Sequence, residues 1–527
     1  MMLRREFVKT LGATGVALYA SDLVGDLIAQ SPKARVMESR FKGLSDIALS
    51  EAKRLGCTYA DVRFTRNVND SVAVRDRIVT DSFGFGAGGM ETSAGFGVRV
   101  IHSGVWGFAS SPFVTEGDIK KITAQATEVA KASAVSKRFE VKLAPVPAYQ
   151  DYWSSPVKTK PEDVSLDDKI AFLMKINEAA LKVPGVIRVQ SNMAFDYEWK
   201  YLATSEGSYL EQEIWRTSPG FTVTALKDGK SKSRTFSVAP KSAGYEVVLN
   251  AKMLENVERI AAEAVEHCMA PPAGMGLKDL IMTPAHAMLT IHEIVAHPTE
   301  LDRVVGYEAN YAGTSFVKTS DVGKLMMGSK LFNVTCDRTL EGGMCTVGYD
   351  DDGVKSQRWP IIQEGKLVDL QTNRETAHYI GQTASKGCTF ATSWRNYPFL
   401  RMPNVHVEPG PPGSPTPEEI IADTKDGILI DGRGSYSIDQ QRYNGQFGGD
   451  AYWEIKNGKK TRMLSDVTYN AITTDFWQNL DATSGKESWE MFGTTGDAKG
   501  QPVQINHPSH GSPWCRIRRI MVGAAFS

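Results

Sequence analysis

The stretch Thr283-Pro284-Ala285-His286-Ala287-Met288-Leu289-Thr290-Ile291-His292-Glu293-Ile294-Val295-Ala296-His297-Pro298 decides how this chain is read. Thr283 suits an N-cap and Pro284 a first helical position, so a helix is expected to start there and to bury Met288, Ile291 and Val295 on one side. It carries His292-Glu293-Ile294-Val295-Ala296-His297, an HExxxH pattern one residue longer than the HExxH in which two histidines lie about 40° apart on a helical face and bind zinc. The added residue sets His292 and His297 about 140° apart on a regular helix, too far round to share one ion unless the helix ends or bulges there. Pro298 favours a helix end, because the residue before proline is biased away from helical geometry and His297 is then expected to swing back. In such a site two neutral imidazoles hold the cation, the cation lowers the pKa of bound water, and Glu293 accepts the proton. The chemistry expected is hydrolysis.

Outward from this helix the chain reads as an α+β protein: a mixed N-terminal region of helices and antiparallel strands over residues 36–273, then a β-rich C-terminal domain over 274–527 holding the metal site. Leu44 to Leu55 has helical spacing and Thr58 to Arg66 alternates as a strand. Val98 to Ile101 and Val105 to Phe108 read as a hairpin. Thr115 with Asp118, and Ser165 with Asp168, start capped helices, the first running to about Ser136 and the second ending before Pro184-Gly185. Strands with polar turns follow from Val186 to Val248, and a helix returns from Asn250 to His267. Pro271-Pro272-Ala273-Gly274 is the expected linker, beyond which strand signals dominate.

The first 35 residues read as an address. Arg4-Arg5-Glu6-Phe7-Val8-Lys9 precedes a short apolar stretch from Leu11 to Ala20, the order of parts in a secretory leader, and the paired arginines fit the twin-arginine type that exports folded proteins. The mature protein is therefore expected in the periplasm or secreted. With 527 residues, 60 Lys+Arg against 61 Asp+Glu, 42% hydrophobic and 23% charged residues, the chain is too apolar for disorder and too balanced in charge for a nucleic-acid module. No apolar run reaches the roughly 18 residues of a spanning helix, so no membrane role is expected after export.

Six cysteines (Cys57, Cys268, Cys336, Cys345, Cys388, Cys515) contain no CxxC pair. Cys336 and Cys345 flank the turn signal Glu341-Gly342-Gly343 and would allow a disulfide across a hairpin, but two unpaired buried thiols are the preferred reading. The run Gly84 to Gly89 opens no helix and is not a phosphate loop. Asp350-Asp351-Asp352-Gly353 lacks the spaced ligands of a calcium loop and is expected to make an Asp-Gly hairpin turn. Arg516, Arg518 and Arg519 are expected on the solvated face of a terminal strand. There is no GxSxG elbow and no cysteine-protease signature.

His292 to Asp302 resembles the HExxxH segment of the TldD/PmbA family of metallopeptidases. The resemblance continues in order through Asp350-Asp351-Asp352-Gly353, Pro360 to Leu367, Arg401-Met402-Pro403-Asn404, Asp426-Gly427-Ile428, Gly445-Gln446-Phe447, Ile455 to Lys459 and Gly493 to Gln501, and more loosely through Ala48 to Val62 and Gly95 to Val105. It implies a zinc peptidase acting on small or unfolded polypeptides admitted to an enclosed cavity, where an extended substrate strand would add to a sheet edge. It also implies dimers, a homodimer or a heterodimer with a PmbA-like subunit, in which this motif-bearing chain is the catalytic, D-type one.

One segment departs from the family. The D-type metal set usually ends with a cysteine in a segment resembling Gly-x-Cys-Gly-Lys-x-Gly-Gln, whereas this chain has Gly493-Thr494-Thr495-Gly496-Asp497-Ala498-Lys499-Gly500-Gln501. An inserted residue leaves the alignment ambiguous, and Thr495 would be a poor zinc ligand. His510 is favoured as third ligand, since Gly511 beside it would let the backbone approach closely, with His507 and Cys515 as alternatives. The expected set is thus His292, His297 and His510 on zinc with Glu293 as catalytic base. The rival reading is a non-catalytic peptide-binding or scaffold subunit whose metal site has decayed, for which the missing cysteine speaks and the retained Glu293 does not.

Overall fold

A computed structural model of the chain describes residues 31–80, 91–311 and 313–524. The leader lies outside these residues as far as Gln30, and so does the Gly84 to Gly89 run. The fold starts earlier than the leader's expected end. Ser31 caps a helix over Pro32–Glu38, and Arg35 reaches Glu211 at 2.7 Å and Glu213 at 2.6 Å, so residues 31–35 are structural.

Long alternating runs and tight turns build the first sheet, of eight strands. Its path is Val105–Ser111, Glu91–His102, Tyr59–Arg75, Val186–Thr204, Tyr209–Lys227 and Gln150–Ser154, with Ile78–Thr80 and Lys230–Phe236 pairing alongside. The expected hairpin is there: His102 pairs with Val105 across Ser103 and Gly104, both at positive φ (53° and 75°), as a two-residue turn matched to strand twist requires. Val186–Thr204 and Tyr209–Lys227 are long enough to pass through two separate cores. Tyr201 and Ala203 pack under the helices Arg40–Arg54 and Glu116–Ser133. Val189, Met193 and Phe195 pack under Leu166–Leu181 and Met253–Met269. The caps fall where expected, Thr115 accepting from the Asp118 N–H and Ser165 from the Asp168 N–H, each at 3.1 Å.

After Pro271–Gly274 the chain forms a nine-stranded sheet. Its path is Tyr436–Ile438, Asn444–Gly448, Val467–Ile472, Cys515–Ala524, Gly276–Met282, Asp426–Asp431, Ala451–Lys456 and Lys459–Leu464, and Leu480–Thr483 pairs with Cys515–Ala524. A four-stranded sheet (Lys366–Leu367, Arg358–Gln363, Val334–Asp337, Asn404–Val407) closes over the same core. The whole is an α+β fold. Among the described residues no helix is long and apolar enough to cross a membrane.

Three sequence expectations change here or gain content. Cys336 and Cys345 are buried free thiols, and Cys336 pairs with Trp359 and Val405 rather than across a hairpin to Cys345. Asp350 to Gly353 does turn, with the Gly353 N–H on the Asp350 carbonyl at 3.0 Å. Its carboxylates also tie the two halves together: Asp351 meets Lys200 at 3.0 Å and Asp352 meets Arg99 at 2.6 Å, all four buried. Arg516 is not on a solvated face. It is 4% exposed and pairs with Asp423 and Asp481, because the 420–424 segment covers that face of the strand, the Arg516 guanidinium also reaching the Ile420 carbonyl at 3.4 Å and the Thr424 hydroxyl at 3.1 Å, while Arg519 is exposed as expected.

Candidate metal centre

Gly276–Met282 lies inside the nine-stranded sheet between Cys515–Ala524 and Asp426–Asp431, and it delivers the chain to Thr283 at the sheet's end. Thr283 has the extended backbone of an N-cap, but its hydroxyl donates to Asp431 at 2.7 Å instead of capping the helix. The helix Pro284–Ile291 is buried on every side, not along one stripe.

The helix then widens. His292–Ala296 is a π turn, in which the His297 N–H bonds to the His292 carbonyl five residues back. This resolves the five-residue spacing: a wider turn brings the two histidines onto one face, their rings 4.6 Å apart at 72°. His297 itself stays helical (φ −61°, ψ −46°), so the bulge, and not a swing before Pro298, aligns the pair.

Hydrogen bonds set each ring's tautomer. His510 Nδ1 lies 2.9 Å from the Val405 carbonyl, which only accepts, so His510 carries its proton there and its Nε2 is an acceptor. That acceptor is 2.8 Å from His292 Nδ1, which must then hold the proton, leaving the lone pair of His292 on Nε2. His297 Nδ1 donates to Glu300 at 2.9 Å, closer than the 3.3 Å approach of Arg303, and so also keeps its lone pair on Nε2. Asp497 Oδ2 accepts from Arg401 at 2.9 Å. Its other oxygen, Oδ1, lies 3.8 Å from His292 Nε2 and 3.6 Å from His297 Nε2.

Three lone-pair atoms therefore converge, with His292, His297 and Asp497 each offering a ligand atom within 4.8 Å of the others. Two imidazoles and a carboxylate are a donor set that hydrolytic zinc accepts, with a coordination position left open. Burial holds both imidazoles neutral: His292 titrates well below the ordinary range, with His510 adding to the effect, and His297 is pushed down to about 3. Burial alone would raise Glu300, but Lys499 and Arg303 hold it well below the usual carboxylate range, so an anion stands behind His297. Lys499 bonds both Glu300 and Asp302 at 2.9 Å.

His510 is thus not a member of the converging set. Both its nitrogens are engaged, and it stands behind His292 as a support. His507 lies elsewhere, its ring pushed down to about 3 by burial and by Arg216 and Arg401. Cys515 is buried beside Ser512 and Pro513, its thiol pushed up to about 12 by burial, and is also outside the set. Asp497 was missed by sequence reasoning. A signal existed: Asp497 is the one carboxylate of the Gly493 to Gln501 segment.

Glu293 opens on a cleft of about 180 Å³ together with His292, His297 and Asp497. Its Oε2 is buried without a hydrogen-bond partner, and Arg442 Nε is 3.9 Å away. Burial pushes this carboxyl up to about 7, with Arg442 working against it. The cleft also exposes Arg433 and residues of the Tyr436–Ile438 strand, which lies at one edge of the nine-stranded sheet.

The three domain models of the PmbA/TldA metallopeptidases match in succession: domain 1 over residues 60–130, the central domain over 159–268 and the C-terminal domain over 276–524. The chain belongs to the PmbA/TldA metallopeptidase family. Among members, a metalloprotease of Methanocaldococcus jannaschii is 27% identical over 438 residues, 81% of this chain and 89% of that one. A zinc metalloprotease TldD homologue of Saccharolobus solfataricus is 21% identical over 483 residues, 90% and 98% of the two chains. The fold is that of TldE from Thermococcus kodakarensis (TM-score 0.70, 15% identity, 92% of this chain and 100% of that one). A Thermotoga maritima protein proposed as a modulator of a DNA gyrase shares it too (TM-score 0.72, 14% identity, 92% and 100%). Within this PmbA/TldA chain, Asp497 is the third member of the converging set.

Proposed function

We propose that this chain is a zinc peptidase in which His292, His297 and Asp497 hold the ion and Glu293 is the catalytic base. The observation that carries the reading is the convergence of three ligand atoms beside a buried carboxyl whose Oε2 has no hydrogen-bond partner, in one cleft. A bound zinc supplies Lewis acidity at the scissile carbonyl and acidifies water. The chain's own residues do the rest. Glu293 takes the proton of the attacking water and passes it to the leaving amine. Glu300 and His510 fix the rings of His297 and His292, and Arg401 turns Asp497 so that one oxygen faces the site. An extended peptide adding to the edge strand Tyr436–Ile438 would lie along the cleft wall, which favours small or unfolded polypeptides as substrates.

The decayed-scaffold reading drew on the missing cysteine, and a carboxylate at 497 removes that ground. The test is elemental analysis of the purified protein with a peptide-cleavage assay. One zinc per chain is expected, with Glu293→Gln keeping the metal while losing at least about a hundredfold in rate. A metal-free wild type, or an active Glu293→Gln, would refute the assignment. We further propose twin-arginine export and pairing with a second subunit, either a copy of this chain or a TldE-like one. Replacing Arg4 and Arg5 with lysine should trap the protein in the cytoplasm, and light scattering of the mature protein, alone and with a TldE-like chain, should give a dimer mass.

A further inference from the structure

Several buried arginines rest on carboxylates at close range: Arg99 on Asp352 at 2.6 Å, Arg374 on Glu206 at 2.7 Å, Arg401 on Asp497 at 2.9 Å. Two arginines on the cleft, Arg442 and the exposed Arg433, have no carboxylate at such close range. Arg442 is mostly buried, yet its Nε has no hydrogen-bond partner and its nearest carboxylate, Glu293, is 3.9 Å off. One other arm of its guanidinium donates to the Asp439 carbonyl at 3.2 Å, and the residue is held at φ 63°, a backbone conformation that side chains rarely adopt. Arg433, across the same cleft, contacts the Thr494 hydroxyl at 3.3 Å and the face of Tyr436, and among the described residues no carboxylate lies within ion-pair reach of it.

The acids lining this cleft are Glu293 and Asp497. Asp497 already has Arg401, and both acids have work at the proposed reaction centre. A desolvated guanidinium without a close anion is costly, and its planar fork matches a carboxylate in two parallel hydrogen bonds. We propose that Arg442, assisted by Arg433, forms a substrate-carboxylate subsite, so that the peptides cut fastest present a carboxylate on the residue just after the scissile bond. This deepens the peptidase reading and rests on it.

Chain geometry fits the proposal. Three bonds separate the scissile carbonyl carbon from the carboxylate carbon of a one-residue leaving group, at most about 4.3 Å of contour. Arg442 Nε, 3.9 Å from the Glu293 carboxylate, stands beside the base that serves the attacking water, on the side where a leaving group that short would end. The same anion has two sources: the free end of a chain losing its last residue, or an aspartate or glutamate side chain at that position within a longer peptide.

The test uses the full mature protein and two peptide pairs. One pair differs only in a free versus amidated C-terminus one residue beyond the scissile bond. The other carries Asp or Asn at that residue with both termini blocked. Wild type is expected to prefer the carboxylate member of at least one pair by about tenfold or more in kcat/KM, the size of one charge-assisted contact. Arg442→Gln should bring that ratio close to one while the neutral member is still cut, and Arg433→Gln, altering an exposed side chain with little folding risk, should lower it in part. The first pair alone responding identifies an exopeptidase end-reader, and the second alone a side-chain reader. Cleavage with ratios near one in wild type, or ratios unmoved in both variants, overturns the subsite. If no peptide is cut at all, the peptidase reading fails separately. Calorimetric binding of the same pairs then decides the subsite, with carboxylate-selective binding lost in the arginine variants expected and equal binding of both members overturning it.

Discussion

At position 497 the candidate site offers a carboxylate, and the neighbours show why it can serve as a ligand. Arg401 occupies one oxygen of Asp497 and leaves the other aimed between His292 and His297. Asp497→Cys should therefore retain zinc, since a thiolate at that point is an equally suitable ligand, whereas Asp497→Ala should lose it; both are read by metal content after dialysis. His510→Ala removes a support rather than a ligand, so it should weaken zinc binding by about 10- to 100-fold without abolishing it, in a chelator competition. An outright loss equal to that of Asp497→Ala would mean that His510 binds the ion. The two histidines and Glu293 were legible because their spacing along one segment is itself the signal. Asp497 was not, because it comes from a strand about 200 residues away, and aspartate is common enough that only its three-dimensional placement distinguishes it. Behind the ligands, Glu300 is fully buried between His297, Arg303 and Lys499. Glu300→Gln leaves two cations short of an anion in the interior, so it should cost about 3–5 kcal/mol in urea denaturation as well as zinc affinity.

The element that brings the candidate ligands together is the π turn of His292–Ala296, and its cause is local. Proline at 298 has no N–H to continue an α-helical ladder, while the His297 N–H reaches back to the His292 carbonyl. Pro298→Ala restores a donor and lets the regular helix extend, which would carry His297 toward the 140° separation of an ideal helix. Zinc affinity should then fall by at least about tenfold while the fold persists, as read by chelator competition alongside far-ultraviolet circular dichroism. Unchanged affinity would show that packing around the buried helix, and not the missing donor, holds the turn. Elements with repeating local cues were readable in the same way: the capped helices after Thr115 and Ser165, and the hairpin at Ser103-Gly104. Elements whose face depends on partners were not. Arg516 looks solvated by alternation, but Asp423 and Asp481 from other segments cover it. The Asp350 to Asp352 turn was legible as a turn, while its function as an anchor was hidden in Lys200 and Arg99 of the other half.

Across the whole molecule the two halves meet through buried polar groups, and one of them makes the junction sensitive to acid. His267 ends the helix Met253–Met269 of the N-terminal half and sets its ring edge-on against Tyr452 of the C-terminal sheet, 6.2 Å between centroids. It is 5% exposed, and neither ring nitrogen has a hydrogen-bond partner. Burial, helped by Lys232 and Arg234, lowers its pKa to about 4, from an ordinary value of 6.5. The folded state therefore favours the neutral ring. Between pH 6.5 and 4 the unfolded chain takes up a proton at this residue that the folded chain refuses. The stability this group contributes is complete above pH 6.5 and is lost as the pH falls through 4, a total on the order of 3 kcal/mol. His267→Leu removes the titration without stranding a hydrogen-bond partner. Measured by urea unfolding at pH 7.5, 5.5 and 4, wild type should lose about 3 kcal/mol more than the variant across that range. Parallel losses in the two proteins would show that the ring is solvated or paired when folded, and that acid acts on the junction elsewhere. The converse sign applies to Asp350, raised to about 7 by burial beside Asp352: its contribution is complete below the ordinary carboxylate pKa and is lost as the pH rises through 7. The His267 comparison is therefore made within one background, where the carboxylate contribution cancels and only the imidazole's proton remains.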